Sequence, residues 1–461
     1  MGSREYKGLL VVIPTRNRAS LAKNAIRSVI SQNLPGVELL VSDNSTQPEE
    51  LESLAQHCLA LNHPHLRYVR PPEPLPMSAH WDWAIQQALN SQKNHFAYLT
   101  DRMMFKRNEL GPLLEVAANY PVDLISYNHD KIIDDASPVR IQQFPRSGKL
   151  LRLKTLRLSY LYSQIELHWC LPRMLNCVAP RELLGNMRSR FGNVFASISP
   201  DFCFCCRCFE IAESLIYYYH SPAFHYALKR SNGASWTRGE LTQDAADFAA
   251  TTGIFNLKLE TPTPDILTGL SGIIHEYCRV RRETGSSRFF EVDREKYLNS
   301  LGVEIRNMEN KELQSKLHQA LLKHGWTDDQ PVNRTMGVLV KKLFSPRAVQ
   351  AKIKWLMRGP AAKRIWVLLA RLSKTSPPFD QRFEFKGTDE AIDYLHEFRN
   401  RERVKTTCWI EEKLQPQFLP MTPQTGIPGT VRAAGRDEAG QSCTCDGTGN
   451  RSSSNCGAKN N

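Results

Sequence analysis

Three short polar runs each follow an apolar stretch: Pro14-Thr15-Arg16-Asn17-Arg18, Asp43-Asn44-Ser45-Thr46 and Thr100-Asp101-Arg102. Together they offer the groups a nucleotide needs. A carboxylate such as Asp43 can accept from a base N–H or a ribose hydroxyl, and Arg16 or Arg18 presents a planar fork of donors to phosphate oxygens. A fourth run, Ser197-Ile198-Ser199-Pro200-Asp201-Phe202, sets one carboxylate, Asp201, just ahead of a helical pattern. A hydroxyl is a weak nucleophile, and a base within hydrogen-bond reach speeds its attack by taking the proton. Further on, the stretch from His225 to Gly233 puts Lys229 and Arg230 before an Asn-Gly turn, in a loop able to close on a diphosphate. Each residue has a plainer reading alone. Asp, Asn, Ser and Thr after a strand commonly cap the next helix, and Lys and Arg in loops commonly face water.

Groups so distant in sequence meet only if the fold carries them to one place. Gly8 to Pro14 is a continuous apolar run and predicts a buried strand; Ala19 to Gln32 repeats Leu21, Ala25, Ile26, Val29 and Ile30 at helical spacing. Val37 to Ser42, Leu66 to Arg70 and His95 to Thr100 predict further strands, with helices near Glu49 to Leu61 and over Met77 to Leu89, the latter capped by Ser78. Glu109 to Asn119 and Val122 to Tyr127 continue the alternation. This order predicts an α/β fold with a doubly wound, mostly parallel sheet, in which ligands lie outside the carboxyl ends of the strands. The first three polar runs occupy those ends. Asp130 to Ser163, interrupted by Pro138, Pro145 and Gly148, is expected to be an irregular excursion over the sheet edge, and Asp201 to Tyr219 reads as helical. The expected organisation is a catalytic domain over 1–240, a mainly helical region over 241–420 and a disordered low-complexity tail over 421–461.

The run from Val11 to Arg18, with Ser28-Val29 and Gln32 behind it and Glu38 to Thr46 next, resembles the nucleotide-binding half of the family 2 glycosyltransferases. Met77 to Leu89 and Tyr98 to Leu110 match that family more weakly, and the resemblance covers about half of the chain. It implies a GT-A fold and transfer of a sugar from a nucleoside diphosphate donor, with inversion, to an acceptor hydroxyl that no local motif names; a sugar or lipid-linked acceptor is the expected partner. Thr15 and Asp43 match the family's nucleotide-contacting positions, and Asp201 resembles its catalytic base. The expected donor site is Pro14, Thr15, Arg16, Arg18, Asp43, Asp101, Arg102, Lys229 and Arg230. Asp101 also falls in the family's acidic motif for a divalent cation, Mg²⁺ or Mn²⁺. There the sequence departs: the expected second carboxylate is Arg102, followed by Met103. One carboxylate is a poor site for ions that need several oxygen ligands. The competing reading is a non-catalytic protein that binds nucleotide-sugars with a degenerate metal motif.

The 461 residues, 41% hydrophobic against 23% charged, fit two or three folded units rather than a disordered chain. No apolar run approaches the ~20 residues needed to span a bilayer, and the stretch behind Arg4 and Lys7 is too short for an export signal. A cytoplasmic chain with reduced cysteines is therefore expected. The thiols of Cys203, Cys205, Cys206 and Cys208 would point different ways on a helix, which suits packing better than zinc. Trp81 and Trp83 cannot share a helical face, so one should enter the core and the other a cleft, where an indole can stack on a sugar. Much of the net charge of +13 lies in 340–374, where every charged side chain is basic. Apolar stripes there, such as Ile353, Leu356 and Met357, predict peripheral contact with an anionic inner membrane surface. The same segment has no zinc-finger spacing or RNP-like motif, so nucleic acid is not an expected partner.

Overall fold

The computed structural model describes residues 5–144, 147–239, 242–327, 384–397 and 413–419. The chain divides into two units, Met1–Pro423 and Gln424–Asn461. The whole second unit, the rest of the tail predicted over 421–461 and the basic segment 340–374 lie outside the described residues.

β1 (Leu9–Thr15), α1 (Ala19–Ile30), β2 (Val37–Asp43), α2 (Pro48–Leu61), β3 (Leu66–Val69), α3 (Met77–Leu89) and β4 (His95–Tyr98) follow the predicted alternation. All seven residues of β1 are buried because both faces of the strand are covered. Leu9, Val11 and Ile13 pack with Ala22, Ile26 and Val29 of α1, whereas Leu10 and Val12 pack with Trp81 and Ile85 of α3. β1 pairs in parallel with both β2 and β4, and β2 with β3, which gives the order 3-2-1-4. Strand order therefore reverses between β1 and β4, where an open α/β sheet has its ligand crevice.

The sheet continues through β5 (Met103–Phe105), α4 (Leu110–Asn119), β6 (Ile125–Ile133), β7 (Val139–Gln142), β8 (Leu150–Lys154), α5 (Thr155–Ser163), β9 (Cys177–Pro180), α6 (Arg181–Phe191), α7 (Pro200–Ile211) and β10 (Ser214–His225). β9 runs antiparallel between β4 and β6, and β6 is parallel to β10. Two stretches differ from expectation. The described residues of 130–163 form strands and a helix rather than an irregular excursion, because Pro138 and Gly148 stand just ahead of β7 and β8 instead of interrupting them. The helix expected to reach Tyr219 stops at Ile211, and the run Leu215-Ile216-Tyr217-Tyr218-Tyr219 is β10. Aromatic and β-branched side chains favour that pleated, buried surface. Ser78 is not the cap of α3, whose N-cap is Pro76; its hydroxyl donates to the Ser197 carbonyl instead.

Beyond residue 231 the described chain is mainly helical: α8 (Asn232–Arg238), α9 (Gln243–Thr252), α10 (Gly269–Thr284), α11 (Arg294–Arg306), α12 (Lys311–Lys323) and α13 (Thr388–Glu397). Two short strands, β11 (Glu384–Phe385) and β12 (Gln417–Leu419), pair with β7 and β8. Phe204, Cys206 and Phe209 of α7 share one core with Ile274, Tyr277 and Val280 of α10. The four cysteines of α7 are buried free thiols, as packing residues should be. Arg288, after α10, donates to the carbonyls of Phe209 and Ala212, to Thr155 Oγ1 and to Glu213, tying the end of α7 to the start of α5.

Candidate functional site

The turns after β1, β2 and β4 meet at the reversal of strand order. Thr15 Oγ1 donates to Asp101 Oδ2 at 3.0 Å, and Arg18 Nη1 lies 3.5 Å from Asp101 Oδ1. Asp43 is fully buried, accepting from the Ser45 amide at 2.8 Å and from the Tyr68 hydroxyl at 2.7 Å. Pro14 stands opposite Ser42 in the β1–β2 register. Asn17, at φ 53°, takes a left-handed conformation that asparagine tolerates, and its side chain accepts from the amides of Thr46 and Gln47. Arg16 Nη1 reaches the Leu75 carbonyl at 3.3 Å, and Asn44 brackets the same residue through both its amide atoms. This end is stitched together before any ligand arrives.

The segment after β10 joins it. Arg18 Nη2 donates to the Arg230 carbonyl at 2.7 Å while Arg230 Nη2 donates to the Asn17 carbonyl at 2.9 Å, a reciprocal latch. Arg102 and Tyr226 exchange bonds in the same way, with Tyr226 N to Arg102 O at 3.0 Å and Arg102 Nη1 to Tyr226 O at 3.4 Å. Lys229 is exposed. Of the residues predicted from sequence, the fold thus gathers 14–18, 43, 101–102 and 230, and leaves Lys229 at the rim.

Asp201 sits in the first turn of α7, half-buried. Burial holds its carboxyl above the usual carboxylate range, opposed by the nearby Arg173 guanidinium and by amides at the helix start. Such a carboxyl is a better base near neutral pH than an ordinary one. The loop leading to it is pinned from two sides. Asp82 of α3 accepts from the amide of Val194 at 2.6 Å, and Glu276 of α10 accepts from those of Ile198 at 3.1 Å and Ser199 at 2.9 Å. Glu276 is itself buried, pushed up to about 7 by that burial, and pairs with Arg279 at 3.2 Å.

A second group was not among the sequence candidates. His129 and Lys131 alternate on β6, and His225 stands opposite Lys131 on β10, so all three share a face. The His129 and His225 rings lie 4.7 Å apart. Burial drives protonation of both imidazoles well down, and the nearby Lys131, Arg173 and Arg102 add to it. The alternation at 129 and 131 was present in the sequence but hidden by reading 130–163 as irregular. Arg173 lies between α5 and β9, and no periodic signal marks it.

Trp81 is core, while Trp83 lines a cleft of ≈ 630 Å³ with Leu75, Gln86, Asn193 and Ala196. That cleft borders the Leu75 carbonyl held by Arg16.

The residues present do not fit a divalent cation. Both oxygens of Asp101 are engaged by Thr15 and Arg18, Arg102 follows it, and His220 is bonded to Glu109 at 2.7 Å. Among the described residues no group of three or more His, Cys, Asp or Glu side chains is placed to hold an ion.

Residues 10–178 match the model of glycosyl transferase family 2. That segment belongs to the family 2 glycosyltransferases. The matched segment is accordingly a glycosyltransferase domain, and it spans β1 to β8. Solved structures similar to the chain include S. aureus TarS 1-349 in complex with UDP-GlcNAc, 14% identical with a TM-score of 0.38, covering 69% of this chain and 88% of that one. S. aureus TarS is 13% identical with a TM-score of 0.37 over 68% of this chain and 53% of its own. TarS 1-349 in complex with UDP is 14% identical, with a TM-score of 0.36 over 69% and 88%. No curated protein matches the sequence.

Proposed function

We propose that the glycosyltransferase holds its donor's nucleoside at Pro14, Thr15 and Asp43 and the diphosphate beside Asp101, Arg102, Arg16, Arg18, Lys229 and Arg230. Asp201 then deprotonates the acceptor hydroxyl. The acceptor oxygen forms its bond to the anomeric carbon as the carbon–oxygen bond to the β-phosphate breaks. The proton stays on Asp201, the nucleoside diphosphate leaves with the electron pair, and attack from the opposite face inverts the anomeric centre. The observation that carries this reading is the meeting of three strand-end turns at the reversal of strand order, with one raised carboxyl, Asp201, on a separately braced helix.

Trp83 and its cleft suit a sugar or lipid-linked acceptor, since an indole face packs on C–H surfaces. In this reading residues 1–240 are the catalytic domain and carry every group named, and within 241–420 the described helix α10 braces the loop before Asp201. The reading also keeps a cytoplasmic enzyme that touches the inner membrane surface through 340–374. Flotation with anionic vesicles, compared with neutral ones, tests that contact.

Thermal stabilisation of the purified chain by a panel of nucleoside diphosphates and their sugars tests the donor site, since a bound ligand raises apparent stability by mass action. Turnover of the stabilising donor tests catalysis. Tight donor binding without transfer, with every acceptor class tried, would favour the non-catalytic alternative.

A further inference from the structure

We propose that Lys131 and Arg173, with Arg102 beside them, form the subsite for the donor's β-phosphate and do the charge neutralisation that a divalent cation would otherwise supply. The inference rests on the reading of the site as a donor-binding centre. It starts from the misfit at Asp101, whose oxygens are already taken by Thr15 and Arg18.

The carboxylates around this face are engaged elsewhere. Asp130 accepts from Lys106, Ser221 and the Phe144 amide, and Asp134 accepts from the amides of Ala227 and Leu228. Lys131 and Arg173 make no ion pair with a described residue within bonding distance. Their neighbours are rings: Lys131 Nζ lies 5.7 Å from the centre of Phe144, and the Arg173 guanidinium 5.6 Å from that of Phe202. The carboxylate whose ionisation Arg173 favours is Asp201. Like charges gathered in a half-buried place repel one another, and Lys131 is pushed down to about 8 by burial and by Arg173. Packing alone gives no reason to keep such a cluster. A diphosphate relieves it.

A second, independent feature points to the same ligand. His129 is 7% exposed, and its Nδ1 is buried with no hydrogen-bond partner; His225 Nε2 is likewise buried and unpartnered. Imidazoles kept neutral by burial, and further by the surrounding cations, can each still present one N–H to an anion. As the anomeric carbon–oxygen bond breaks, negative charge grows on the β-phosphate oxygen. Guanidinium and ammonium groups fixed in a partly dry site stabilise that charge without reorganising. Arg173 would touch both events, favouring the ionised base and receiving the leaving group.

The test is calorimetry of the full-length chain with UDP, GDP, CDP and dTDP and their monophosphates, in EDTA and in Mn²⁺. The diphosphate that binds is expected to do so in EDTA within about threefold of its affinity in Mn²⁺. Lys131→Ala and Arg173→Ala should each weaken it about tenfold, the equivalent of ~1.4 kcal/mol, while the matching monophosphate changes less than threefold. Lys131→Arg and Arg173→Lys should recover part of the loss. Binding that needs Mn²⁺ overturns this inference and leaves the donor site standing, a comparison made on wild type and so independent of how the variants fold. Folded alanine variants that bind the diphosphate normally, or that lose mono- and diphosphate equally, also overturn it. A wild type that binds no nucleoside diphosphate in either buffer overturns the functional reading itself and this inference with it.

Discussion

The two ends of the site are built on opposite terms. At the strand ends Thr15, Asp43, Asn44 and Asp101 spend their hydrogen bonds on one another and on nearby backbone. Around His129, Lys131 and Arg173 the charged groups have rings for neighbours and two imidazole nitrogens have no partner. The first end is rigid before ligand arrives, which lowers the ordering cost of binding. The second keeps its interaction energy for an anion. A nucleoside is recognised by shape and a few hydrogen bonds, whereas a diphosphate that gains charge during reaction rewards unspent cations.

Substitutions can break this contrast or sharpen it, and the largest effect is expected at a brace rather than at a reacting group. Glu276→Ala removes the buried one of the two carboxylates that pair with Arg279, leaving only Glu283, and frees the amides of Ile198 and Ser199. Removing one member of a buried pair costs about 3 to 5 kcal/mol, read as a lowered midpoint in urea; an unchanged midpoint would show that the loop before Asp201 is held in other ways. Asp201→Asn is expected to lower turnover by about 10²-fold or more while calorimetric donor affinity stays within threefold, and normal turnover would remove it as the base. In wild type the acid limb of turnover should fall at a pH above the ordinary carboxylate range. Asp201 is inactive when protonated and its protonated form is favoured by burial, so activity is lost as pH drops through that raised value. A limb at an ordinary carboxylate pKa contradicts the assignment.

Asp43→Ala tests the stitched end. Its carboxylate joins the Ser45 amide to the Tyr68 hydroxyl, and a charge-assisted bond of this kind is worth roughly 1 to 3 kcal/mol. Weaker nucleoside binding is expected in calorimetry, equally for mono- and diphosphate, in contrast to Lys131→Ala. The smallest change is expected for Lys229→Ala, since an exposed ammonium contributes about 1 kcal/mol or less. A loss of affinity as large as that of Arg173→Ala would move the phosphate site to the rim.

β1 and β2 were legible because strands buried on both faces read as near-continuous Leu and Val runs with polar residues at their ends, and β3 and β4 through their place in the alternation with helices. The helix start at Asp201 was legible too, and the structure puts Asp201 inside the first turn of α7. His129, Lys131 and Arg173 were not, for two physical reasons. β6 is half polar and contains His129, Asp130 and Lys131 in succession, so its alternation has no strong apolar face. Arg173 is brought in by tertiary packing alone, in a loop whose conformation is set by contacts such as the Asn176 bond to the Arg173 amide at 2.9 Å. The departure at Arg102 was visible in the sequence.

The brace on α7 also sets the order in which the enzyme can be made. A ribosome delivers the nucleoside-binding strands first and the helix of Asp201 later, yet that helix gains Ile274, Tyr277, Val280 and the Arg288 tether only once the chain has emerged past α10. Until then Phe204 and Phe209 have ring neighbours in Phe195 and Tyr162, but α7 lacks the apolar cover that α10 supplies, and a nascent chain stalled there leaves that side of the helix open. Synthesis halted after β10 would therefore release a chain that has Asp201 and the Asp82 side of its brace but lacks Glu276 and the Arg288 tether.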